Sequence, residues 1–222
     1  MKLLVSVRSA DEALAAIRGG ADLIDVKEPD RGSLGKADDE TIEHIAQALD
    51  GGVVMSAAMG ELKDASTSDP IGYPLEYLKW GLAGCREWPW RERLLKLRDS
   101  NYSTVVPTAY ADAIRAKAPP LAEVVDFVRK NSFPVLLIDT WSKDGQNLLS
   151  WIDELSLRSL VAELRSGSVA VALAGSLSFH DIPMLQRIEP EWVAVRGAVC
   201  RGGQRTGLVE EQLVRSFKTG LG

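Results

Sequence analysis

The sequence predicts a single-domain α/β protein of the (β/α)8, or TIM-barrel, class. Three observations support this: eight short apolar runs, helix-period segments between them, and no glycine-rich nucleotide-binding turn. The runs cover 2–7, 22–27, 53–58, 77–82, 103–108, 134–140, 169–175 and 192–197. Their mostly apolar content predicts strands buried on both faces and therefore paired in parallel. Eight such units in 222 residues fit a closed barrel better than an open doubly wound sheet, which usually has fewer strands and a glycine-rich first turn. With no linker or repeat to divide it, residues 1–222 read as one barrel domain.

The intervening segments carry helix signals in order. Ser9 and Glu12 form a capping box that starts the first helix, and Gly19-Gly20 stops it. Ile42, Ile45 and Leu49 recur on one helical face, as do Leu121, Val124, Val125 and Val128, and then Val209, Leu213 and Phe217. Residues 59–76 are the weak unit and read as loop with at most a short helix. Ser178-Phe179-His180-Asp181 opens the seventh helix with capping chemistry.

Composition narrows the function classes. With 45% hydrophobic and 26% charged residues the chain is too apolar for a disordered protein. The net charge of −5 disfavours a nucleic-acid partner, which would select clustered positive charge. The apolar start at 2–7 is too short for a signal-peptide core, and no run approaches the roughly 20 residues that span a bilayer. A reduced cytoplasmic protein with no membrane partner is expected. Two cysteines and two histidines offer no ligand cluster, so no cofactor and no metal are expected.

The informative residues are charges on the strands. Side chains alternate along a strand, so Leu23, Asp25 and Lys27 share one face while Ile24 and Val26 take the other, under the helices. The same parity turns Lys79, Asp139 and Arg196 inward on strands four, six and eight. All are on even-numbered strands, and alternate strands build each interior layer, so these groups should meet near the carboxyl-end face where barrel active sites lie. Lys143 can reach over the same mouth from the sixth loop.

Such a layer can be a salt-bridge network closing the mouth. It can instead hold a lysine nucleophile, deprotonated at a pKa of about 7–8 and able to form an imine with a carbonyl. Lys27 is the best placed, with Asp25 two residues away, although spacing alone does not choose between Lys27 and Lys79.

The seventh and eighth loops carry a second signal. Gly175-Ser176 ends strand seven, and Arg196-Gly197-Ala198 with Arg201-Gly202-Gly203 follows strand eight, where these barrels commonly bind phosphate on exposed backbone amides. His44 reads as solvated, His180 as either a cap or a contact beside the phosphate loops, with the cap favoured, and Cys200 as an inert small residue. Trp88-Pro89-Trp90 suggests a lid or a subunit contact, and a homo-oligomer is expected.

With these motifs in place, the chain resembles the (5-formylfuran-3-yl)methyl phosphate synthase family. The resemblance rests on Ile24-Asp25-Val26-Lys27-Glu28-Pro29, Arg31-Gly32-Ser33-Leu34-Gly35, Tyr77-Leu78-Lys79, Tyr110-Ala111-Asp112-Ala113, Leu137-Ile138-Asp139-Thr140 with Lys143-Asp144-Gly145, Ala172-Leu173-Ala174-Gly175-Ser176, and Val195-Arg196-Gly197-Ala198 with Cys200-Arg201-Gly202-Gly203. It implies a lyase that condenses two molecules of glyceraldehyde 3-phosphate to 4-(hydroxymethyl)-2-furancarboxaldehyde phosphate, the furan precursor of methanofuran-type coenzymes of one-carbon metabolism. It further implies that Lys27 is the Schiff-base residue, Lys79 the proton acceptor, and Asp25, Asp139 and Lys143 the other active-site charges. The chain departs from the family pattern in having Glu28 in place of an asparagine, Arg201 where a lysine is common, and a short third unit. Two readings compete: a class I aldolase or isomerase acting on another sugar phosphate, and a barrel that only binds a sugar phosphate.

Overall fold

Strands β1 (Lys2–Val7), β2 (Leu23–Val26), β3 (Val54–Glu61), β4 (Tyr77–Gly81), β5 (Thr104–Tyr110), β6 (Val135–Asp139), β7 (Ala170–Leu173) and β8 (Trp192–Val195) pair in parallel in sequence order and close between β8 and β1. This is the predicted (β/α)8 barrel, seen in a computed structural model that describes residues 1–65, 75–100 and 103–222. Helices α1 (Ala10–Arg18), α2 (Asp39–Leu49), α3 (Trp90–Ser100), α4 (Ala113–Ala116), α5 (Leu121–Lys130), α6 (Glu154–Ser166), α7 (Ile182–Ile188) and α8 (Glu211–Leu221) surround it.

The eight helices are not distributed one per strand among the described residues. Both α4 and α5 follow β5, while β3 is followed by a 3₁₀ turn at Leu62–Asp64. The weak third unit therefore begins differently from the loop expected over 59–76. Met59–Glu61 extends β3, with a register shift against β4 between Ala58 and Glu61, and 66–74 lies outside the described residues.

Local chemistry accounts for the ends of the elements. Ser9 Oγ accepts from Glu12 N–H at 3.3 Å, as a capping box requires, but the Glu12 carboxylate reaches back to Arg8 N–H at 2.8 Å instead of to the cap residue. Gly19 caps α1, and Gly20 takes φ +95°, a left-handed turn that favours glycine. At α7 the predicted cap is complete: Asp181 Oδ2 accepts from both the N–H and the Oγ of Ser178, at 2.7 and 2.9 Å. Val209 is not part of the last helical stripe. It bridges Cys200 ahead of α8, whose buried face begins with Val214 and Phe217.

Strand parity divides the core. Ile24, Val26, Leu78, Trp80, Ile138 and Val195 pack outward beneath the helices, each apolar side chain contributing roughly 1.5–3 kcal/mol by leaving water. Leu4, Leu23, Val106, Leu137, Ala172 and Trp192 fill the interior toward the amino end. Two residues further along the same strands, Ser6, Asp25, Thr108 and Asp139 replace them, so the interior passes from apolar to charged along its axis. Trp90 is a core residue and not a lid: it is 1% exposed and meets Phe127 edge-on at 4.9 Å, because α3 starts at that position and turns its first side chain inward.

Candidate active site

The carboxyl end of the barrel opens into a cavity of about 500 Å3 lined by Lys27, Lys79, Asp139 and Lys143 and by the seventh and eighth loops. Asp25 is fully buried just beneath it. Its Oδ2 receives Lys79 Nζ at 2.6 Å and Ser6 Oγ at 2.8 Å, and its Oδ1 receives Ser56 Oγ at 2.7 Å. Three donors from three strands fix the carboxylate and hold the Lys79 ammonium against the cavity floor. Register explains the contact, since Ser6, Asp25 and Ser56 stand level on β1, β2 and β3.

A second pair forms above it. Asp139 Oδ1 accepts from Thr140 N–H at 2.7 Å and from Lys143 Nζ at 2.9 Å, and its Oδ2 accepts from Ser33 Oγ at 3.2 Å. Burial alone would raise the Asp139 pKa, but Lys143, Lys27 and these hydrogen bonds outweigh it and hold the group below the usual carboxylate range.

Lys27 stands between the two pairs. It is the first residue beyond β2 and not part of it, although its N–H still continues the ladder to Val7 O at 3.0 Å. Its stem is partly exposed, yet protein surrounds the amine, which makes no hydrogen bond or ion pair to any described residue. Burial is the largest cause that brings this amine down from 10.5 to about 7. Asp139 and Asp25 pull it upward, Lys143 and Lys79 downward. Desolvation, more than crowding by cations, thus keeps about half the amine uncharged near neutrality.

The loop residues divide. Gly175, Ser176, Gly197 and Ala198 line the cavity, and among the described residues their backbone N–H groups enter no turn or ladder hydrogen bond. Gly175 (φ +105°) and Ser176 (φ +54°) adopt left-handed backbone that turns this strand end over the mouth. Arg196 also reaches the wall, but all five of its N–H donors are engaged: by both Glu12 oxygens at 2.9 and 3.2 Å, by Ser6 O at 2.9 Å, by Gly207 O at 3.2 Å and by Arg205 O. Its guanidinium has no donor left for a phosphate, which corrects the side-chain role expected for it. Arg201 is corrected more fully. Its side chain is 72% exposed, pairs with Glu210 at 2.6 Å and does not line the cavity.

Several residues were missed from sequence. Arg205 lines the cavity where Arg201 does not, and its Nη2 donates to Pro29 O and Gly32 O, both at 2.8 Å, tying the eighth loop to the second. Glu12, read only as a cap, is the buried partner of Arg196. Tyr110 and Glu61 hydrogen-bond at 2.7 Å beside Asp139. Neither was placed by strand parity, because the third and fifth strands were expected to end at 58 and 108 and instead run on to Glu61 and Tyr110. Glu28, the departure from the family pattern, caps the 3₁₀ turn at Asp30 N–H and pairs with Arg8 at 2.9 Å, away from the cavity wall.

The remaining candidates are quiet. Cys200 and Cys85 are buried thiols, pushed up to about 11 and about 12 by burial, and His44 is exposed. Among the described residues no group of three or more His, Cys, Asp or Glu is arranged to hold a metal ion, and no helix is long and apolar enough to cross a membrane.

The family model for 4-HFC-P synthase matches residues 3–218. The chain belongs to the (5-formylfuran-3-yl)methyl phosphate synthase family. The synthase of that name from Methanococcus maripaludis is 36% identical over 98% of both chains, and that from Methanocaldococcus jannaschii 35% identical over 98% of both. Among solved structures, phosphoribosyl anthranilate isomerase from Thermus thermophilus superposes with a TM-score of 0.65 at 16% identity, covering 100% of this chain and 98% of its own. The 3-hexulose-6-phosphate synthase of Salmonella typhimurium gives 0.62 at 14%, covering 100% of both. At such identities these two support the fold alone. Synthase family membership and the barrel agree with the resemblance read from the motifs.

Proposed function

We propose that this synthase condenses two molecules of glyceraldehyde 3-phosphate to 4-(hydroxymethyl)-2-furancarboxaldehyde phosphate, releasing one phosphate and two waters, through a Schiff base on Lys27. The observation that carries the reading is the position of the Lys27 amine: on the cavity wall, without an ion-pair partner among the described residues, between a Lys79–Asp25 pair and a Lys143–Asp139 pair. A lysine serving only to close the mouth would be paired; this one is left free to attack a carbonyl.

In this reading one triose phosphate isomerises to its ketone form, with the Lys79–Asp25 pair moving the α-proton. The Lys27 amine adds to the ketone carbonyl and water leaves, giving an iminium that acidifies the neighbouring carbon. Loss of that proton gives an enamine, whose carbon attacks the aldehyde of the second triose. Asp139 and Lys143 then pass protons during phosphate loss, ring closure and dehydration, and water releases the product from Lys27. The free amides at Gly175, Ser176, Gly197 and Ala198, with Arg205, hold the retained phosphate. The product would feed a methanofuran-type coenzyme.

Borohydride treatment in the presence of glyceraldehyde 3-phosphate tests this. A mass increment on the Lys27 peptide and an ultraviolet-absorbing aldehyde product are expected, and Lys27→Ala should abolish both. Trapping without the furan aldehyde would indicate an aldolase or isomerase instead. Ligand binding with neither would indicate a sugar-phosphate-binding barrel.

A further inference from the structure

Behind the cavity, a line of polar side chains crosses the barrel mouth from β6 to β3. Ser33 Oγ donates to Asp139 Oδ2 at 3.2 Å and neighbours the phenol of Tyr110, which is fully buried. Tyr110 Oη donates to Glu61 Oε1 at 2.7 Å, and Glu61 Oε2 is held by Ala83 N–H at 2.7 Å. Tyr110 and Asp139 are register partners on β5 and β6, so the line is built into the sheet. It also has a shaped seat. A Cβ at Gly81 would stand 2.2 Å from Glu61 Oε2 and 2.5 Å from Tyr110 Oη, so only glycine at 81 leaves room for the carboxyl–phenol pair.

None of Ser33, Tyr110 and Glu61 lines the cavity, and a buried carboxyl–phenol pair costs desolvation that apolar residues would avoid. Glu61 is half-buried, whereas Asp139 is 3% exposed and would be sealed off once substrate fills the mouth.

We propose that Ser33, Tyr110 and Glu61 form a proton branch that resets Asp139 from behind the occupied cavity, making them positioning residues for its acid–base work. Protonated Asp139 gives its proton to Ser33 Oγ, the Ser33 proton passes to Tyr110 Oη, and the phenol proton passes to Glu61. The net change is one proton moved from the Asp139 carboxyl to the Glu61 carboxylate, with no other charge altered. At rest the one Ser33 hydroxyl proton is shared between Thr140 O at 2.9 Å and Asp139 Oδ2 at 3.2 Å, so a hydroxyl rotation toward Tyr110 opens the branch. Burial already raises the affinity of Glu61 for a proton, which suits an acceptor. The titratable groups facing Glu61 are Tyr110, Asp64, Asp139 and Cys85.

The inference rests on Asp139 serving as acid and base in the proposed reaction. Tyr110→Phe and Glu61→Gln keep shape and remove one link each. In both, kcat should fall by about tenfold, within the span of general acid–base catalysis, while KM and borohydride trapping at Lys27 stay within about twofold of wild type. The double variant should be no slower than the worse single, as expected of residues acting as one unit. Unchanged kcat, or trapping lost in parallel with kcat, would overturn the branch. If the wild type makes no furan aldehyde from glyceraldehyde 3-phosphate, the substrate assignment fails, and carboxyl-carbon NMR decides the branch separately. Ser33→Ala should then shift the titration midpoints of both Asp139 and Glu61, and a Glu61 midpoint unmoved by that change would refute the connection.

Discussion

Replacing Lys27 by methionine keeps an unbranched stem and removes the amine, and the structure fixes the sign of the effect. In the folded chain the amine lies near pKa 7, against an ordinary 10.5. Between those values the unfolded chain binds more protons than the folded one, so stability rises with pH across this window and the full cost of the buried charge is felt below pH 7. For a folded pKa of about 7, raising the pH from 6 to 8.5 should stabilise the wild type by about 2 kcal/mol through Lys27 alone. Asp139 keeps Lys143 and the Thr140 N–H in the variant and stays ionised throughout. The buried thiols, raised to about 11 and 12, act in the opposite direction as pH nears the ordinary cysteine range, but both proteins carry them, so they cancel in the difference. Urea unfolding of both proteins at pH 6, 7, 7.75 and 8.5 reads the difference: wild type should gain about 2 kcal/mol relative to Lys27→Met, with unchanged m-values. Curves that stay parallel within about 0.5 kcal/mol would show that the amine is solvated and that desolvation does not prepare it.

Other consequences of the geometry can be checked as directly. Asp25→Asn leaves the Lys79 ammonium, 7% exposed, without its counter-charge, and should cost roughly 3–5 kcal/mol in urea unfolding at pH 7. Arg205→Ala should raise KM for the phosphorylated substrate by about tenfold or more, the worth of a charge-assisted hydrogen bond, whereas Arg201→Ala should leave steady-state constants within about twofold. Gly175→Ala puts a Cβ 3.1 Å from Thr140 Cγ2 and 3.2 Å from Leu148 Cβ at φ +105°, and should lower stability by about 1–3 kcal/mol in the same unfolding assay.

The strands were legible because parity and burial are local properties. Leu23-Ile24-Asp25-Val26 contains its own inside and outside, and the barrel seats each residue accordingly. Helix starts were legible where a short polar side chain stands ahead of an apolar stripe, as at Ser9 and Ser178. The third unit was not, because Ala58 to Glu61 slips register against β4, and a slip is a property of two strands that neither run reveals. The site failed at long side chains in loops. Arg201 and Arg205 are both cations near the same glycines, and what separates them is the location of acceptors: Glu210 outside for one, the carbonyls of Pro29 and Gly32 across the mouth for the other. A partner 173 or 176 residues away leaves no mark at the arginine itself.

The two explanations open for a charged layer, an ionic closure of the barrel and a reactive lysine, are both realised, but by different residues. Arg196 and Glu12 are 7% and 4% exposed, with every guanidinium donor engaged. Such a pair costs desolvation, has no capacity left for a ligand, and fixes the eighth loop to the first. Lys27 is the inverse case: protein removes its water and supplies no hydrogen bond in return, so the charged form is the one that suffers. A chain under selection for stability alone would relieve that cost with a carboxylate at hydrogen-bond distance, as it does for Lys79 and Lys143 on either side. Both neighbouring carboxylates are instead engaged by other donors, and neither stands at salt-bridge distance from Lys27. The Asp25 and Asp139 pairs therefore act on Lys27 by withholding themselves, and Asp25→Asn and Lys27→Met together test that coupling. If the pairs only filled space, the two changes would add within about 0.5 kcal/mol; if they set the amine's surroundings, they would not.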